Sequence, residues 1–283
     1  MINPFKRVEV NHLTLKHPRV DERTDGMLIA HITDVHHGRW VKSHHVKEVA
    51  AWVNAQKPDL TVLTGDYVGY SALDIEPCVN ALRHLDGPVY ATLGNHDHWA
   101  STKTSLEAFE RAKIPTLNNA SALVQTRRNH QLRVIGVDDA VTKKHDLDLA
   151  FSEARGGCFQ LALCHVPELA PQVAQRGGHL ILSGHTHGLQ FNVPRVAEPL
   201  ANKLGMSFIG GPYLLEESLL YVSRGLGSAS WPWRFRASPE LTFFRLEHAL
   251  QPSLTLSHQH HISVSHPERA PLLRRTGAKE PRA

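Results

Sequence analysis

Five short motifs combine carboxylate, imidazole and amide side chains in an arrangement suited to binding metal ions. They are Asp34-Val35-His36, Gly65-Asp66, Gly94-Asn95-His96-Asp97, Cys164-His165 and Gly184-His185-Thr186-His187. Each follows directly on a short apolar run. Residues i and i+2 of an extended segment point the same way, so Asp34 with His36, and His185 with His187, are pairs that can each face one centre.

The donor atoms offered by these motifs are oxygens and imidazole nitrogens, a set that suits Mn²⁺ best, with Fe or Zn²⁺ as alternatives. The candidate ligands are Asp34, His36, Asp66, Asn95, His165, His185 and His187. Seven ligands exceed what one tetrahedral site needs, whereas a carboxylate shared by two ions would use them all. We therefore expect two divalent ions about 3.5–4 Å apart, a centre that activates water for hydrolysis of phosphate esters.

The elements that must position these motifs are short strands and amphipathic helices in alternation. Apolar runs predict strands at 28–33, 60–64, 89–93, 132–137, 159–164 and 179–183, and the intervening patterns predict helices at 43–56, 74–85, 101–111 and 167–175. This alternation is typical of an α/β layered fold, in which ligands gather at the carboxyl ends of the strands. Part of the sheet is expected to be mixed or antiparallel, because strands follow each other without a long helix between 116 and 137.

Together the motifs resemble those of the calcineurin-like metallophosphoesterases over residues 27 to 247. The resemblance implies a single-domain, four-layer α/β/β/α sandwich with a binuclear metal centre. It also implies a first metal held by Asp34, His36 and His187 and a second held by Asn95, His165 and His185. Asp66 would bridge the two.

The same resemblance places His96 beside the substrate, where it is a candidate general acid toward the leaving oxygen. Asp97 is predicted to orient that imidazole, and a helix cap is the alternative. Three further residues are candidate substrate contacts: Arg224, His37 and Arg39. A surface salt bridge is the alternative for Arg224, and solvent exposure is the alternative for the other two.

A narrower resemblance, carried by residues 184–190, 220–227 and 238–241, is to a bacterial branch that includes phosphodiesterases. Some members of that branch cleave the pyrophosphate of UDP-2,3-diacylglucosamine. The chain departs from the branch at Leu189, where a second Gly is usual, and in having no N-terminal hydrophobic anchor. The resemblance implies cleavage of a phosphodiester or pyrophosphate bond in a small or lipid-linked substrate.

Two other functions agree less well with the motifs. A protein phosphatase or other phosphomonoesterase is disfavoured, because 65–70 lacks the Asp-Arg-Gly that follows Gly-Asp-x-Val in protein phosphatases. A catalytically inactive scaffold of the same fold would be expected to have lost ligands, and every expected position is filled.

The segment Trp231-Pro232-Trp233-Arg234-Phe235-Arg236 interleaves aromatic residues with arginines. Such a pattern suits a membrane interface or a lipid-bearing substrate. The alternative is a strand edge whose tryptophans pack against the core.

Length and composition set the remaining expectations. The 283 residues suffice for one large domain, divided here into a lead-in strand (1–26), the catalytic domain (27–248) and a flexible tail (249–283) containing His258, His260 and His261. Three scattered cysteines and no signal-peptide pattern favour a cytoplasmic protein, with peripheral association at the inner membrane as an additional hypothesis. The sequence contains no stripe of basic residues, so we expect no nucleic-acid partner. It does not indicate the oligomeric state.

Overall fold

Two six-stranded mixed sheets form the centre of the computed structural model, which describes residues 7–126, 128, 130–154, 157–193, 195–228 and 231–263. The strands are β1 (Val8–His17), β2 (Leu28–Ile32), β3 (Leu60–Thr64), β4 (Val89–Thr92), β5 (Ala120–Gln125), β6 (Gln131–Val137), β7 (Gln160–Cys164), β8 (Leu180–Ser183), β9 (Gly211–Leu215), β10 (Ser218–Val222), β11 (Glu240–His248) and β12 (Ser253–Ile262). The helices are α1 (Ser43–Ala55), α2 (Ile75–Leu82), α3 (Asn95–Arg111), α4 (Leu147–Ala150), α5 (Ala170–Gln175) and α6 (Ala197–Lys203). Every predicted strand and helix overlaps an observed one.

Each sheet contains a group of neighbouring parallel strands, and the five sequence motifs follow strands of these two groups. The first sheet has the order β12-β1-β11-β2-β3-β4, and β2, β3 and β4 run parallel. The second has the order β5-β6-β7-β8-β10-β9, with β6, β7, β8 and β10 parallel between antiparallel edge strands. The expected mixed pairing is thus confirmed.

Successive side chains of each strand point alternately to the other sheet and to the helices, which produces the four layers of the fold. In β2, Ile29 contributes to the core between the two sheets, while Ala30 and Ile32 face the core shared with α1, α2 and α3. In β7, Leu161 and Leu163 fill the core between the sheets, and Ala162 and Cys164 face the core beside α4 and α5. Because side chains of a strand point alternately to opposite faces, each sheet has one face against the other sheet and one against helices. The predicted α/β/β/α sandwich is confirmed.

The two ends of the described chain pair with each other at one side of the first sheet. The predicted N-terminal strand is β1, which lies between β11 and β12. The prediction of a flexible tail from residue 249 is wrong for Ser253–Ile262, which pairs antiparallel with β1. Backbone hydrogen bonding to a free strand edge needs no apolar periodicity, so composition alone missed it. Residues 264–283 lie outside the described part of the chain.

Candidate metal centre

Each of the five motifs lies in the loop after a parallel strand. The loops follow β2, β3 and β4 in the first sheet and β7 and β8 in the second. Hydrogen bonds join the loops across the sheets: His165 Nδ1 lies 2.6 Å from the Thr64 carbonyl oxygen, and the backbone N–H of His185 donates to Asp34 Oδ2 at 3.1 Å. Packing of the two sheets therefore brings residues up to about 150 positions apart to one edge.

The donor atoms of the predicted ligands converge on this edge. Three groups of titratable side chains each have ligand atoms within 4.8 Å of one another: Asp34, His36 and His187; His36, Asp66 and His96; and Asp66, His165 and His185. Asn95, which carries an amide, is 3.0 Å from His185 through its Oδ1 and the ring Nδ1. All seven predicted ligands are thus brought together.

Two sets of donors can be distinguished by distance, and Asp66 lies between them. On one side, His187 Nε2 is 3.5 Å from Asp34 Oδ1, and His36 Nε2 is 3.6 Å from Asp66 Oδ2. On the other side, His165 Nε2 is 3.3 Å from that same Asp66 oxygen. A single carboxylate oxygen therefore faces a histidine of each set.

Hydrogen bonds of the histidine rings leave lone pairs pointing into the cluster. His36 Nδ1 lies 3.2 Å from the Val68 carbonyl oxygen, His165 Nδ1 contacts that of Thr64, and His96 Nδ1 contacts that of Gly69. A carbonyl can only accept, so each Nδ1 carries a hydrogen and each Nε2 is the atom that can bind a cation. His36 Nε2 lies 3.0 Å from His187 Nε2. His165 Nε2 is buried and has no hydrogen-bond partner. This donor set fits divalent cations.

The backbone at the ligands adopts an uncommon conformation. The φ angles are positive at Asp34 (49°), His36 (46°), Asp66 (54°), His185 (70°) and His187 (51°). Non-glycine residues rarely adopt this left-handed region, and where they do the position is frequently functional. Five of the seven predicted ligands are therefore held in conformations that the surrounding structure must enforce.

Glycines allow the loops to approach one another closely. Gly65 has φ +85°, and a Cβ there would lie 2.5 Å from the backbone nitrogen of Gly94. A Cβ on Gly184 would collide with the Asp34 carboxylate. Side chains at these positions would push the metal-binding loops apart.

The electrostatics of the cluster favour positive charge. Burial by itself would raise the pKa of Asp66, but the imidazoles of His165 and His36 outweigh it and hold that pKa well below its usual range. Burial would lower the pKa of His165, but the carboxylates of Asp66 and Asp34 raise it to about 10. Buried carboxylates need a compensating charge, which either protons on these imidazoles or bound cations can provide.

His96 lies in the cluster with His36 and Asp66, and the Asp97 carboxylate contacts backbone N–H groups instead of the His96 ring. The two Asp97 oxygens accept backbone N–H groups of Asp66 (2.8 Å), Gly94 (2.9 Å) and Tyr67 (2.9 Å). Burial, with the Asp66 charge, raises the pKa of Asp97 to about 7, against the effect of these hydrogen bonds. Asp97 lies in the first turn of α3 and ties two metal-binding loops together. The prediction that it orients the His96 imidazole gains no support from these contacts.

The three candidate substrate contacts have other partners. Arg224 forms ion pairs with Glu240, at 2.5 Å, and with Glu9. These contacts correspond to the alternative of a salt bridge, although the Arg224 side chain is largely buried and not on the open surface. His37 is buried and lies 3.0 Å from Ser43 Oγ and 3.3 Å from the Asp74 carboxylate. Arg39 is exposed, with its guanidinium carbon 4.8 Å from the ring of Trp40.

Arg234 was not predicted as part of the site, yet its guanidinium contacts it directly. Nη2 donates to His187 Nδ1 at 3.0 Å and to the Gly227 carbonyl, and Nη1 donates to the Arg224 carbonyl at 2.7 Å. Burial lowers the pKa of Arg234 to about 10. The sequence signal was an arginine among aromatic residues, but only folding of its loop onto the 184–187 loop reveals the contact.

Comparison with known proteins agrees with this geometry. The sequence profile described as Calcineurin-like phosphoesterase matches residues 27–189, more than half of the chain. Phosphodiesterase YaeI of Escherichia coli is 31% identical over 77% of this chain and 81% of its own length. Uncharacterized metallophosphoesterase YkuE of Bacillus subtilis is 27% identical over 85% and 86%. UDP-2,3-diacylglucosamine pyrophosphatase LpxG of Chlamydia trachomatis is 25% identical over 84% and 89%. With its profile match extending across all five candidate metal-binding motifs, the chain belongs to the calcineurin-like phosphoesterase family and is a metal-dependent phosphoesterase.

Proposed function

We propose that this protein is a binuclear metal-dependent phosphohydrolase that cleaves a phosphodiester or pyrophosphate bond. The observation that carries the proposal is the position of Asp66, whose carboxylate belongs to two groups of potential ligands. One ion would be held by Asp34, His36 and His187, the other by Asn95, His165 and His185, and Asp66 would contact both. Mn²⁺ is favoured, and Fe or Zn²⁺ would also suit these donors.

Divalent cations in this cluster would lower the pKa of a water molecule and neutralise phosphoryl oxygens. The protein's part is to hold the donor atoms in place. The Val68 carbonyl orients the His36 ring, and the Thr64 carbonyl at the end of β3 orients the His165 ring. Since these rings are already oriented, no reorganisation is needed when a substrate arrives.

His96 is the proposed proton donor to the leaving oxygen. Its Nδ1 contacts the Gly69 carbonyl, so Nε2 faces the cluster beside His36 and Asp66. Tyr70 and Trp99 flank the imidazole, with ring centroids 4.7 and 4.9 Å away. Burial lowers the pKa of His96, and the negative charge of a bound phosphoryl group would act in the opposite direction.

A diester or pyrophosphate substrate, including a lipid-linked one such as UDP-2,3-diacylglucosamine, is supported by the names of two relatives, YaeI and LpxG. The alternatives are a phosphomonoesterase and a catalytically inactive scaffold. The complete donor set argues against the scaffold.

The test is an activity panel with metal-free protein reconstituted with Mn²⁺, Fe²⁺ or Zn²⁺. The substrates are a chromogenic diester, a chromogenic monoester, cyclic nucleotides and UDP-2,3-diacylglucosamine. We expect hydrolysis of the diester or pyrophosphate to exceed that of the monoester, and we expect two ions per chain by elemental measurement. Faster cleavage of the monoester would reverse the substrate assignment. Absence of hydrolysis with every metal would favour the catalytically inactive scaffold.

Variants separate the ligand assignment from the fold. Asp66→Asn should lower kcat by about 10³-fold or more and reduce the bound metal below one ion per chain, because the shared carboxylate is lost. The matched control is Asp86→Asn, which changes an exposed carboxylate outside the centre. If Asp66→Asn retained two ions and normal turnover, the shared-carboxylate assignment would be wrong.

A further inference from the structure

Eight large apolar side chains are exposed on two segments that follow the last metal-binding motif. The segments, 190–206 and 231–236, are called here the aromatic surface. Its exposed apolar side chains have relative exposures from 40% to 62% and are Phe191, Val193, Val196, Leu200, Leu204, Trp231, Trp233 and Phe235. The alternative that the tryptophans pack against the core is therefore wrong. Exposed apolar side chains clustered in this way mark an interaction site more often than chance exposure.

Hydrogen bonds make the two segments one surface. Phe191 forms a β-bridge with Phe235, and the Gln190 side chain donates to the carbonyls of Trp231 (2.7 Å) and Trp233 (2.9 Å). The two indole rings stack with centroids 6.0 Å apart. In and around α6, Val196, Leu200 and Leu204 are spaced four residues apart and form one exposed stripe.

The charge of the aromatic surface is mainly positive. By sequence its two segments contain Arg195, Lys203, Arg234 and Arg236 against a single acidic residue, Glu198. Arg195, Lys203 and Arg236 are exposed. Cationic residues beside tryptophans are typical of proteins that bind anionic lipid headgroups while their aromatic rings enter the interface.

The aromatic surface adjoins the candidate metal centre. Arg234, between Trp233 and Phe235, donates to His187 Nδ1 at 3.0 Å. Gln190 follows directly on the helical turn that begins at His187, and its backbone N–H donates to the His187 carbonyl oxygen at 3.0 Å. Whatever binds the aromatic surface is therefore held next to the metal ligands.

We propose that the aromatic surface docks on the surface of an anionic phospholipid bilayer. A second copy of the chain fits less well, because a symmetric contact would bring the same cationic residues together. Among the described residues, no helix is long and apolar enough to cross a bilayer. Docking of this kind would place the metal centre at headgroup depth, where the phosphate groups of amphiphilic substrates lie.

Sedimentation of the full-length, metal-loaded protein with lipid vesicles tests the proposal. We expect binding to phosphatidylcholine vesicles that contain phosphatidylglycerol, a blue shift of tryptophan fluorescence, and much weaker binding to phosphatidylcholine alone. Trp231→Ala with Trp233→Ala should weaken vesicle binding by about tenfold or more, because two interfacial aromatic anchors are lost. Hydrolysis of a water-soluble chromogenic diester should not change in this double variant.

The matched control is Leu123→Ala with Leu250→Ala, which removes exposed apolar side chains outside the aromatic surface and should bind vesicles like wild type. Arg236→Glu is a second variant, expected to weaken binding to the anionic vesicles by about fivefold or more and to abolish the preference for them. It keeps the test decisive if the tryptophan variant fails to fold.

Several results would overturn the proposal. These are no vesicle binding by wild type, equal binding by the double tryptophan variant, and equal binding to neutral and anionic vesicles. Self-association of wild type that the tryptophan substitutions abolish, without vesicle binding, would make the surface a contact between copies. Vesicle binding needs no hydrolysis, so its failure is distinguishable from failure of the proposed catalytic function.

Discussion

The ligand loops combine unfavourable backbone conformations with buried charge. A left-handed conformation costs a non-glycine residue about 1–2 kcal/mol, and five of the predicted ligands adopt it. The loops are held by contacts with side chains outside the predicted ligand set. Asp97 is the clearest example, since its carboxylate accepts N–H groups from both the 65–67 loop and Gly94.

Asp97→Asn should therefore weaken both the fold and the metal site. The amide nitrogen would face backbone N–H donors, so at least one buried donor loses its acceptor, at a cost of about 1–3 kcal/mol. Loosening of the Asp66 loop should lower Mn²⁺ affinity about 10–100-fold. Urea denaturation and calorimetric Mn²⁺ titration measure the two effects.

The matched control for Asp97 is Asp146→Asn, an exposed carboxylate that accepts the Leu149 N–H at 2.9 Å at the start of α4. Because Asn caps a helix about as well as Asp, this variant should keep nearly wild-type stability and leave Mn²⁺ affinity as in wild type. If both variants had wild-type affinity, Asp97 would not position the ligands.

Leu189 offers a second test at the residue scale. It has φ 61°, in the left-handed region that favours Gly. Leu189→Gly should be more stable than Leu189→Ala by about 1 kcal/mol, because both remove the side chain and only Gly adopts this φ without strain. At Leu106, within helix α3, the order should be the usual one, with Ala more stable than Gly. Thermal denaturation of the four variants gives the comparison, and the same order at both positions would contradict it.

At the scale of elements, the first sheet depends on strands from both ends of the described chain. β12 covers the edge of β1 along nine paired positions. Its histidines pack on the sheet as well, with the His260 ring centroid 5.5 Å from that of His12 and 5.4 Å from that of Trp52. β1 lies between β12 and β11, so loss of β12 would make β1 an unpaired edge strand exposed to solvent.

A chain that ends at His248 should accordingly be much less stable than one that ends at Ser263. Each cross-strand pair contributes about 0.2–1 kcal/mol, so removal of β12 should cost several kcal/mol. The chain ending at Ser263 keeps β12 and is the control. Thermal unfolding measures the difference, and equal midpoints would show that β12 adds nothing to the stability of the sheet.

At the scale of the whole molecule, the site depends on the contact between the two sheets. Ligands from β2, β3 and β4 meet those from β7 and β8 because one apolar core joins the sheets face to face. His31 in β2 is fully buried, with Nε2 2.8 Å from Thr64 Oγ1. His179, before β8, accepts the Gln160 N–H at 3.0 Å through Nδ1. Both rings are held neutral in the folded molecule.

Mild acid should therefore remove the contribution of these two histidines to the stability of the fold. Burial lowers the pKa of His31 from 6.5 to about 4 and that of His179 to about 3. Between pH 6.5 and 4 these two histidines bind protons in the unfolded chain that they do not bind in the folded chain, so their contribution to stability is fully present above pH 6.5 and falls as the pH decreases. His31 alone would account for about 3 kcal/mol of this loss.

Urea denaturation of metal-free protein at several pH values between 7 and 4.5 measures this dependence without a contribution from metal release. His31→Gln should flatten the slope of stability against pH, whatever its effect on stability at pH 7. His84→Gln, which changes an exposed histidine, should keep the wild-type slope. An unchanged slope in His31→Gln would contradict the assignment.

Much of the candidate site could be predicted because its information is local. The motifs contain ligand-type side chains next to glycines at strand ends, and strand pairing in an α/β fold brings such ends together. The apolar alternation of strands such as β2 and β7 likewise predicts which faces are buried. Asp66, His165 and the other predicted ligands therefore lie where the sequence indicates.

The sequence by itself determined the ligand types, their order along the chain, the layered α/β fold and the family. Only the tertiary structure decided which arginine contacts the metal-binding loop, what Asp97 holds, and whether 253–262 is ordered. Arg224 and Arg234 are only ten residues apart, yet one pairs with Glu9 and Glu240 while the other contacts His187. Contacts between distant segments depend on how loops and strand edges meet after folding, and no local pattern of residues encodes them.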